Sequence, residues 1–347
     1  MTTAAQHPVR HVDIQHAPLR HDDAVAPTGT ASTTADTSTT AALATASHGE
    51  HDDAVAPTAA TPADGAHTAT PAHAAPDTAG PAATAPADAG PAATAPLRLA
   101  YREAGDPAAP VLLLLHALGE SSLSWDPLLD DLAALGYRVL APDARGHGDS
   151  DRPGHYSYEL MTADTLAFCA ALGVTAQDDA AGAADAGGTV AARPVAAPDG
   201  FAIVGHSMGA VTAALVTTAL NATTSATNGP ASTGTTTTKP APVTRLVLED
   251  AAPPRPGGPR FEPFDEPDHP VPFDWPLVNA LRAQRGDPDP AWWDDALGIE
   301  APVLVVAGGP TSNVDQADLA EFTSRVAHGR LVEIRVGHMV HDEAPDE

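Results

Sequence analysis

The sequence predicts an α/β domain whose mostly parallel, twisted sheet is covered by helices on both faces. From Leu97 onward, short apolar runs alternate with longer helical stretches, which is how strands joined by crossover helices read. At one junction the apolar run 201–204 passes through Gly205-His206-Ser207-Met208-Gly209 into a helical stretch starting at Ala210. Such a strand-to-helix turn leaves its central serine on a sharp bend with the hydroxyl exposed. Small residues two before and two after that serine let strand and helix pass without a Cβ clash.

Each element has its own justification. Residues 97–102 alternate as an entry strand, and 111–116 form a continuous apolar run that ends in a turn. Asp126-Pro127 supplies a cap and a first helical turn, with Leu128, Leu129, Leu132 and Leu135 as the apolar face that follows. Residues 138–143 return as a strand, RGHGDSDRPG forms a loop, and 161–172 read as the next helix. Strands over 201–206 and 245–250 flank the helix that leaves the serine turn. Residues 303–307, a helix over 315–327 and a strand over 330–335 complete the alternation, with His338 just past the last strand. An Ala/Gly/Asp-rich stretch at 177–198 and a Thr-rich one at 221–242 are expected to be surface loops.

The 35 prolines, 28 glycines and 4% aromatic content say that much of the 347-residue chain cannot build a core. Residues 1–96 are almost entirely Ala, Thr, Pro, His, Asp and Gly, a composition that buries too little apolar surface to offset chain entropy, so a disordered tail is expected. HDDAVAPT recurs at His21 and His51, and AGPAATAP at Ala79 and Ala89, an irregular duplication unlike a solenoid. The folded domain is expected over 97–347. Forty-five acids against 17 bases give a net charge of -28, which argues against nucleic-acid or anionic-membrane partners. Neither a signal peptide nor a run of about 18 apolar residues is visible, so no membrane insertion and a cytoplasmic location are expected. The single cysteine, Cys169, lies in a helical stretch and reads as a core thiol.

Three further motifs fall around the serine turn: LLLHALGESS from Leu113, PDARGHGDSDRP from Pro142 and VGHMVHDEAP from Val336. Together they resemble the α/β-hydrolase fold family, small enzymes with a serine nucleophile, over about 97–347. The resemblance implies a cofactor-free serine hydrolase, esterase-like, acting on a small acyl substrate. A serine hydroxyl is a poor nucleophile unless a neutral imidazole takes its proton. By family position that imidazole is His338, while His341 flanks the site. A carboxylate must fix the imidazole tautomer. The usual acid position after the penultimate strand reads Thr311, Ser312, Asn313; the resemblance then favours Asp250, at the end of the strand after the elbow helix, where some family members place the acid, with Asp315 as the alternative. Backbone N–H groups of Leu118 and Met208 are the implied oxyanion donors, with Ala117 standing where the family's turn has glycine, and His116 is expected to hold that turn. The same resemblance makes the Asp143–Ser150 loop a scaffold and not a phosphate cradle. Lactone opening, C–C bond hydrolysis, peracid formation and a non-catalytic binding role stay open. A serine at the elbow argues against the dehalogenase and epoxide hydrolase branches, which use aspartate there.

A Pro-rich segment at about 251–297 carries Phe261, Phe264, Phe273, Trp275, Trp292 and Trp293 where this fold inserts a lid. Trp275, Trp292 and Trp293 are candidate pocket residues, with lid-to-body packing as the other reading of the last two. His7, His11, Asp13, His16, His21, Asp22 and Asp23 could ligate a metal, but their irregular spacing supports only adventitious binding, so no metal site is expected. The family commonly continues past the histidine loop into a helix on the sheet. This chain stops at Glu347, so part of one sheet face is expected to be exposed.

Overall fold

The computed structural model describes residues 6–15, 96–175, 200–226, 243–258 and 260–347. The stretch at 177–198 and most of 221–242 lie outside them. Strands β1 (Arg10–Ile14), β2 (Leu97–Ala104), β3 (Val111–Leu115), β4 (Arg138–Pro142), β5 (Phe201–His206), β6 (Val243–Glu249), β7 (Val303–Ala307) and β8 (Gly329–Glu333) form one sheet in the order β1-β2-β4-β3-β5-β6-β7-β8. β2 runs antiparallel to both neighbours and every other pairing is parallel. The apolar runs become strands because the sheet is covered on both faces; all five residues of β3 are buried.

Helices α1 (Leu129–Ala134), α2 (Tyr158–Ala171), α3 (Met208–Ala226), α4 (Pro276–Gly286), α5 (Pro290–Leu297), α6 (Gln316–Arg325) and α7 (Val340–Glu343), with a 3-10 turn at Asp126–Leu128 that leads into α1 and whose Asp126 does not cap it, complete the described elements. α2 begins a turn earlier than expected because Ser157 caps it, its hydroxyl accepting from the Leu160 N–H (3.1 Å). α3 runs into the Thr-rich stretch, so 221–226 are helical and not loop. Threonine is only a modest helix former, but tertiary context overrides that weak preference. The buried Thr212 and Thr217 hydroxyls donate to the carbonyls one turn back, at Met208 and Ala213 (3.1 and 2.8 Å). Leu135 is 74% exposed and does not join the face of α1, because the helix ends at Ala134. Cys169 is fully buried and burial pushes its thiol up to about 12, as suits an inert core residue.

The disordered-tail expectation fails at residues 10–14. This short stretch pairs antiparallel with β2, Ile14 opposite Leu97 and Arg10 opposite Tyr101. Ile14 is 2% exposed in the main core, with Val12 packed against it. Burying one isoleucine contributes about 1.5–3 kcal/mol. Around it, Arg10 pairs with Glu103 (2.8 Å), Asp13 with Arg98 (3.0 Å), and His7 bridges Asp126 and Asp130 (3.0 and 3.1 Å). Two of the suggested tail ligands, His7 and Asp13, are thus engaged with the folded body; His16, His21, Asp22 and Asp23 lie outside the described residues. At the other edge β8 is mostly exposed, Leu331 by 39%.

Candidate active site

Ser207 sits between β5 and α3 with φ of 52°, in the left-handed region where non-glycine residues cost about 1–3 kcal/mol. The glycines on either side explain why that conformation persists. A Cβ on Gly205 would meet the Gly209 carbonyl, and one on Gly209 would meet the carbonyl of Leu115 in β3. The chain must therefore reverse within one residue. Hydrogen bonds hold it there: Ser207 N–H donates to the Glu249 carbonyl (3.0 Å), and the N–H groups of Ala210 and Val211 donate to the Ser207 carbonyl (3.0 and 3.3 Å).

The structure brings His338 to Asp250. His338 Nδ1 lies 2.7 Å from Asp250 Oδ2, which fixes Nδ1 as the protonated nitrogen and leaves Nε2 as the acceptor. Asp250, with φ of 43° just past β6, is fully buried. Burial works to raise its pKa, but the His338 bond, the Ser312 hydroxyl, the Gly308 N–H (2.7 Å) and the Gln316 amide (3.1 Å) outweigh it and hold the carboxyl below its ordinary value. Asp315 is elsewhere: its carboxylate accepts from the Ala317 N–H (2.9 Å) and caps α6. Ser312, in the turn where an acid was looked for, donates to that acid instead.

The turn after β3 lies against the elbow, with Leu118 packed in the same apolar cluster as Met208. His116 holds the turn as expected. Its Nδ1–H donates to the Ala117 carbonyl (2.8 Å) and its Nε2 accepts from the Ala144 N–H (2.9 Å), and burial lowers its pKa so that the neutral tautomer needed for both bonds persists. The following loop is bonded into the scaffold. Asp143 accepts from the N–H groups of Ser122 (2.6 Å) and Asp149 (2.9 Å), Ser150 links Asp143 to Ala100 (2.7 and 2.8 Å), and Arg145 forms a buried fork with Asp164.

The alpha/beta hydrolase family profile matches residues 112–347, from β3 through the segment that carries His338. The chain belongs to the alpha/beta hydrolase family. Over shorter stretches it is similar to curated proteins: Epoxide hydrolase A of Mycobacterium tuberculosis, 45% identical over 73 residues, and the mouse Bifunctional epoxide hydrolase 2, 38% identical over 81. Those alignments cover 20% and 22% of this chain and only 23% and 14% of the relatives. Among solved structures, a Nitrososphaera gargenis structure described among carboxylesterases superposes with TM-score 0.51 at 16% identity, covering 72% of this chain and 90% of that one. The enol-lactonase of Burkholderia xenovorans LB400 does so with 0.50 at 19%, covering 72% and 93%. At such identity these likenesses show the α/β-hydrolase fold alone.

The lid tryptophans divide. Trp275 packs beside Phe273 (6.2 Å between rings) in the cluster that holds Leu118 and Met208, so it adjoins the turn after β3 in this alpha/beta hydrolase. Trp293 does not: it packs edge-on to Phe322 of α6 (5.5 Å) in the main core, and joins lid to body. Trp292 meets Tyr158 of α2 edge-on (5.6 Å) and borders a surface groove with Leu166 and Leu215, within the same apolar cluster as Met208 and Trp275. α5 carries both on its buried face, and that face looks toward the body. Phe261 and Phe264 are partly exposed and flank the Arg282 guanidinium (5.0 and 3.7 Å). Phe273, a lid residue with no role in the sequence reading, lies where a Cβ on Gly119 would touch it (3.2 Å) and covers the turn.

The sequence reading also missed a polar cluster next to His338. His206 Nε2–H donates to the His338 carbonyl (2.8 Å), while its Nδ1 faces Glu120 at 3.5 Å. Burial opposes protonation of His206, but Glu120, Glu249 and the His338 carbonyl prevail and raise its pKa. Burial likewise opposes ionisation of Glu120, yet His206 and the Ala117 N–H bring it down to about 2. Glu249 points away from Asp250, as strand alternation requires, and accepts from the N–H and Nδ1 of His341 (both 2.8 Å). Trp125 stacks on that imidazole at 3.9 Å. The partners come from segments far apart in sequence, so no local pattern marks them. Among the described residues, no helix is long and apolar enough to cross a membrane.

Proposed function

We propose that this alpha/beta hydrolase is a serine hydrolase that cleaves small carboxylic esters or related acyl compounds through an acyl-enzyme. The observation that carries the reading is the part-buried Asp250–His338 pair (2.7 Å), tied through the His338 carbonyl to His206 (2.8 Å), the residue before a serine held at φ of 52° on a strand-to-helix elbow. In this reading His338 Nε2 takes the Ser207 proton as Oγ bonds to the acyl carbon. The Nε2–Oγ contact closes in the substrate complex, since such bonds are often long in the resting site. The oxyanion formed is met by the N–H groups of Leu118 and Met208, and Asp250 stabilises the imidazolium. His338 then protonates the departing alkoxide as the tetrahedral intermediate collapses. Water, deprotonated by the same nitrogen, attacks the acyl-enzyme, and the released acid and the restored Ser207 hydroxyl balance the cycle.

Trp275 and Phe273 pack in the cluster that holds Leu118 and Met208, and in this reading they cover the site and suit it to a small or medium substrate. The epoxide hydrolases resemble this chain over about a fifth of its length, but their branch opens an epoxide with a carboxylate at the elbow, where Ser207 stands here. Turnover of short p-nitrophenyl esters that falls at least ~1000-fold in Ser207→Ala, with fluorophosphonate labelling of the wild type alone, is the expected result. Full activity in Ser207→Ala overturns the serine mechanism. Absence of labelling together with absence of turnover on ester, lactone and epoxide panels points to a binding protein instead.

A further inference from the structure

Glu120, His206 and His341 each place one ligand atom within 4.8 Å of the others. Their burial is nearly complete for the two imidazoles, 0% and 7% side-chain exposure, and Glu120 is 17% exposed. In each imidazole one nitrogen is already committed: Nε2 of His206 to the His338 carbonyl (2.8 Å), and Nδ1 of His341 to the Glu249 carboxylate (2.8 and 2.9 Å). The other nitrogen of each, His206 Nδ1 and His341 Nε2, is buried with no hydrogen-bond partner. Two buried imidazole nitrogens left without a hydrogen bond are costly and call for an occupant. Glu120 lies 3.5 Å from the first and Asp342 3.8 Å from the second. Both are ion-pair contacts too loose to satisfy either nitrogen.

Metal-bound histidines have this arrangement: the distal ring nitrogen is fixed by a carbonyl or carboxylate, which sets the tautomer and aims the near nitrogen at the ion. The three atoms lie within 4.8 Å of one another, wider than the edges of roughly 3.3–3.6 Å that bonds of about 2.0–2.2 Å give a coordination tetrahedron, so side-chain movements of about an ångström bring them onto one ion. We propose that Glu120, His206 and His341 form a divalent-cation site for Zn²⁺ or a similar borderline ion, with Asp342 or water completing it. Two imidazoles and a carboxylate are the donors such ions take, whereas Mg²⁺ and Ca²⁺ prefer all-oxygen sites. The ion stands behind the base and does none of the acyl chemistry. Its ligands belong to the turn after β3, the last residue of β5 and α7, which begins just after His338, so binding joins the segments that hold or adjoin the oxyanion donors, the serine and the base. The proposal is independent of the acyl-transfer reading, since the site forms whatever Ser207 attacks.

Cobalt(II) reports directly on such a site. Full-length protein stripped with chelator and titrated with Co²⁺ is expected to bind one equivalent tightly, with visible d–d absorption of a four- or five-coordinate N/O set, and Zn²⁺ is expected to displace it and raise the Tm. Glu120→Gln and His341→Gln are expected to lose the band. Glu249→Gln, which keeps both metal-facing nitrogens, is expected to weaken binding by roughly 10–100-fold and covers the case in which the first two fail to fold. Replacing His11, His16 and His21 together by Asn is expected to change nothing. Absence of the band in wild type, its survival unaltered in Glu249→Gln and His341→Gln, or its loss with the tail histidines overturns the proposal.

Discussion

Asp250 gathers four donors around one buried carboxylate, and its neighbour in the chain, Glu249, serves a different histidine. Asp250→Asn is expected to lower kcat on esters by roughly 10³–10⁴-fold while the fold survives, because an amide no longer secures the tautomer. Asp315→Ala is expected to leave kcat unchanged and to cost about 1 kcal/mol in urea denaturation, the usual loss for a helix cap. Ser312 lies close enough to Asp250 to act as a second station for the acid; in the double variant Asp250→Asn/Ser312→Asp, at least ~10-fold of the lost kcat is expected to return. Glu120 sets a pH dependence. Its folded pKa of about 2 lies below the ordinary 4.5, so between those values the unfolded chain binds more protons and stability falls as pH falls. Denaturation of chelator-stripped protein at pH 3, 4 and 6 is expected to show a flatter acid limb in Glu120→Gln than in wild type. The serine and the histidine were legible in the sequence because each stands in a short local motif. The preference for Asp250 over Asp315 rested on resemblance alone, since the contacts that distinguish them form only where β6 and the turn after β7 meet in space.

The elbow works because an entire strand–turn–helix unit is pressed against β3. Gly209 has no freedom to accept a side chain, as the obstacle is the backbone carbonyl of Leu115, so Gly209→Ala is expected to destabilise the protein by at least about 1–3 kcal/mol in denaturant titration. A smaller loss would mean that α3 can shift away from the sheet. Strands such as β3 and β5 were readable because burial on both faces leaves an unbroken apolar run. β1 was not: five residues with only Val12 and Ile14 apolar carry too short a pattern to stand out from a polar tail. The face drawn through Leu135 was over-read for a related reason, since Leu135 is the C-cap of α1, where the apolar periodicity continues but the side chain no longer faces the body. The lid tryptophans show the same limit, because composition marked a segment rich in aromatics but not the side of α5 that faces the body.

Across the molecule, β1 completes the sheet beyond β2, and its outward side chains Arg10, His11 and Asp13 are exposed and polar, which discourages pairing with further strands. Ile14→Ala is expected to cost about 2–5 kcal/mol, the range for a buried isoleucine, read as a fall in the denaturation midpoint with esterase kcat unchanged. Removing residues 1–15 is expected to uncover the β2 edge and favour self-association, measurable by sedimentation. The strand sits next to Leu97 in the sheet although residues 15–96 separate the two along the chain. Peptide-bond continuity across that interval is therefore not what keeps the strand in place; its ladder bonds, Ile14 and the His7 contacts do that. A molecule nicked once between residues 16 and 95 should still migrate as a single species when concentrated and shed its first fragment on dilution, so an intact band after proteolysis would say little about whether the backbone is whole.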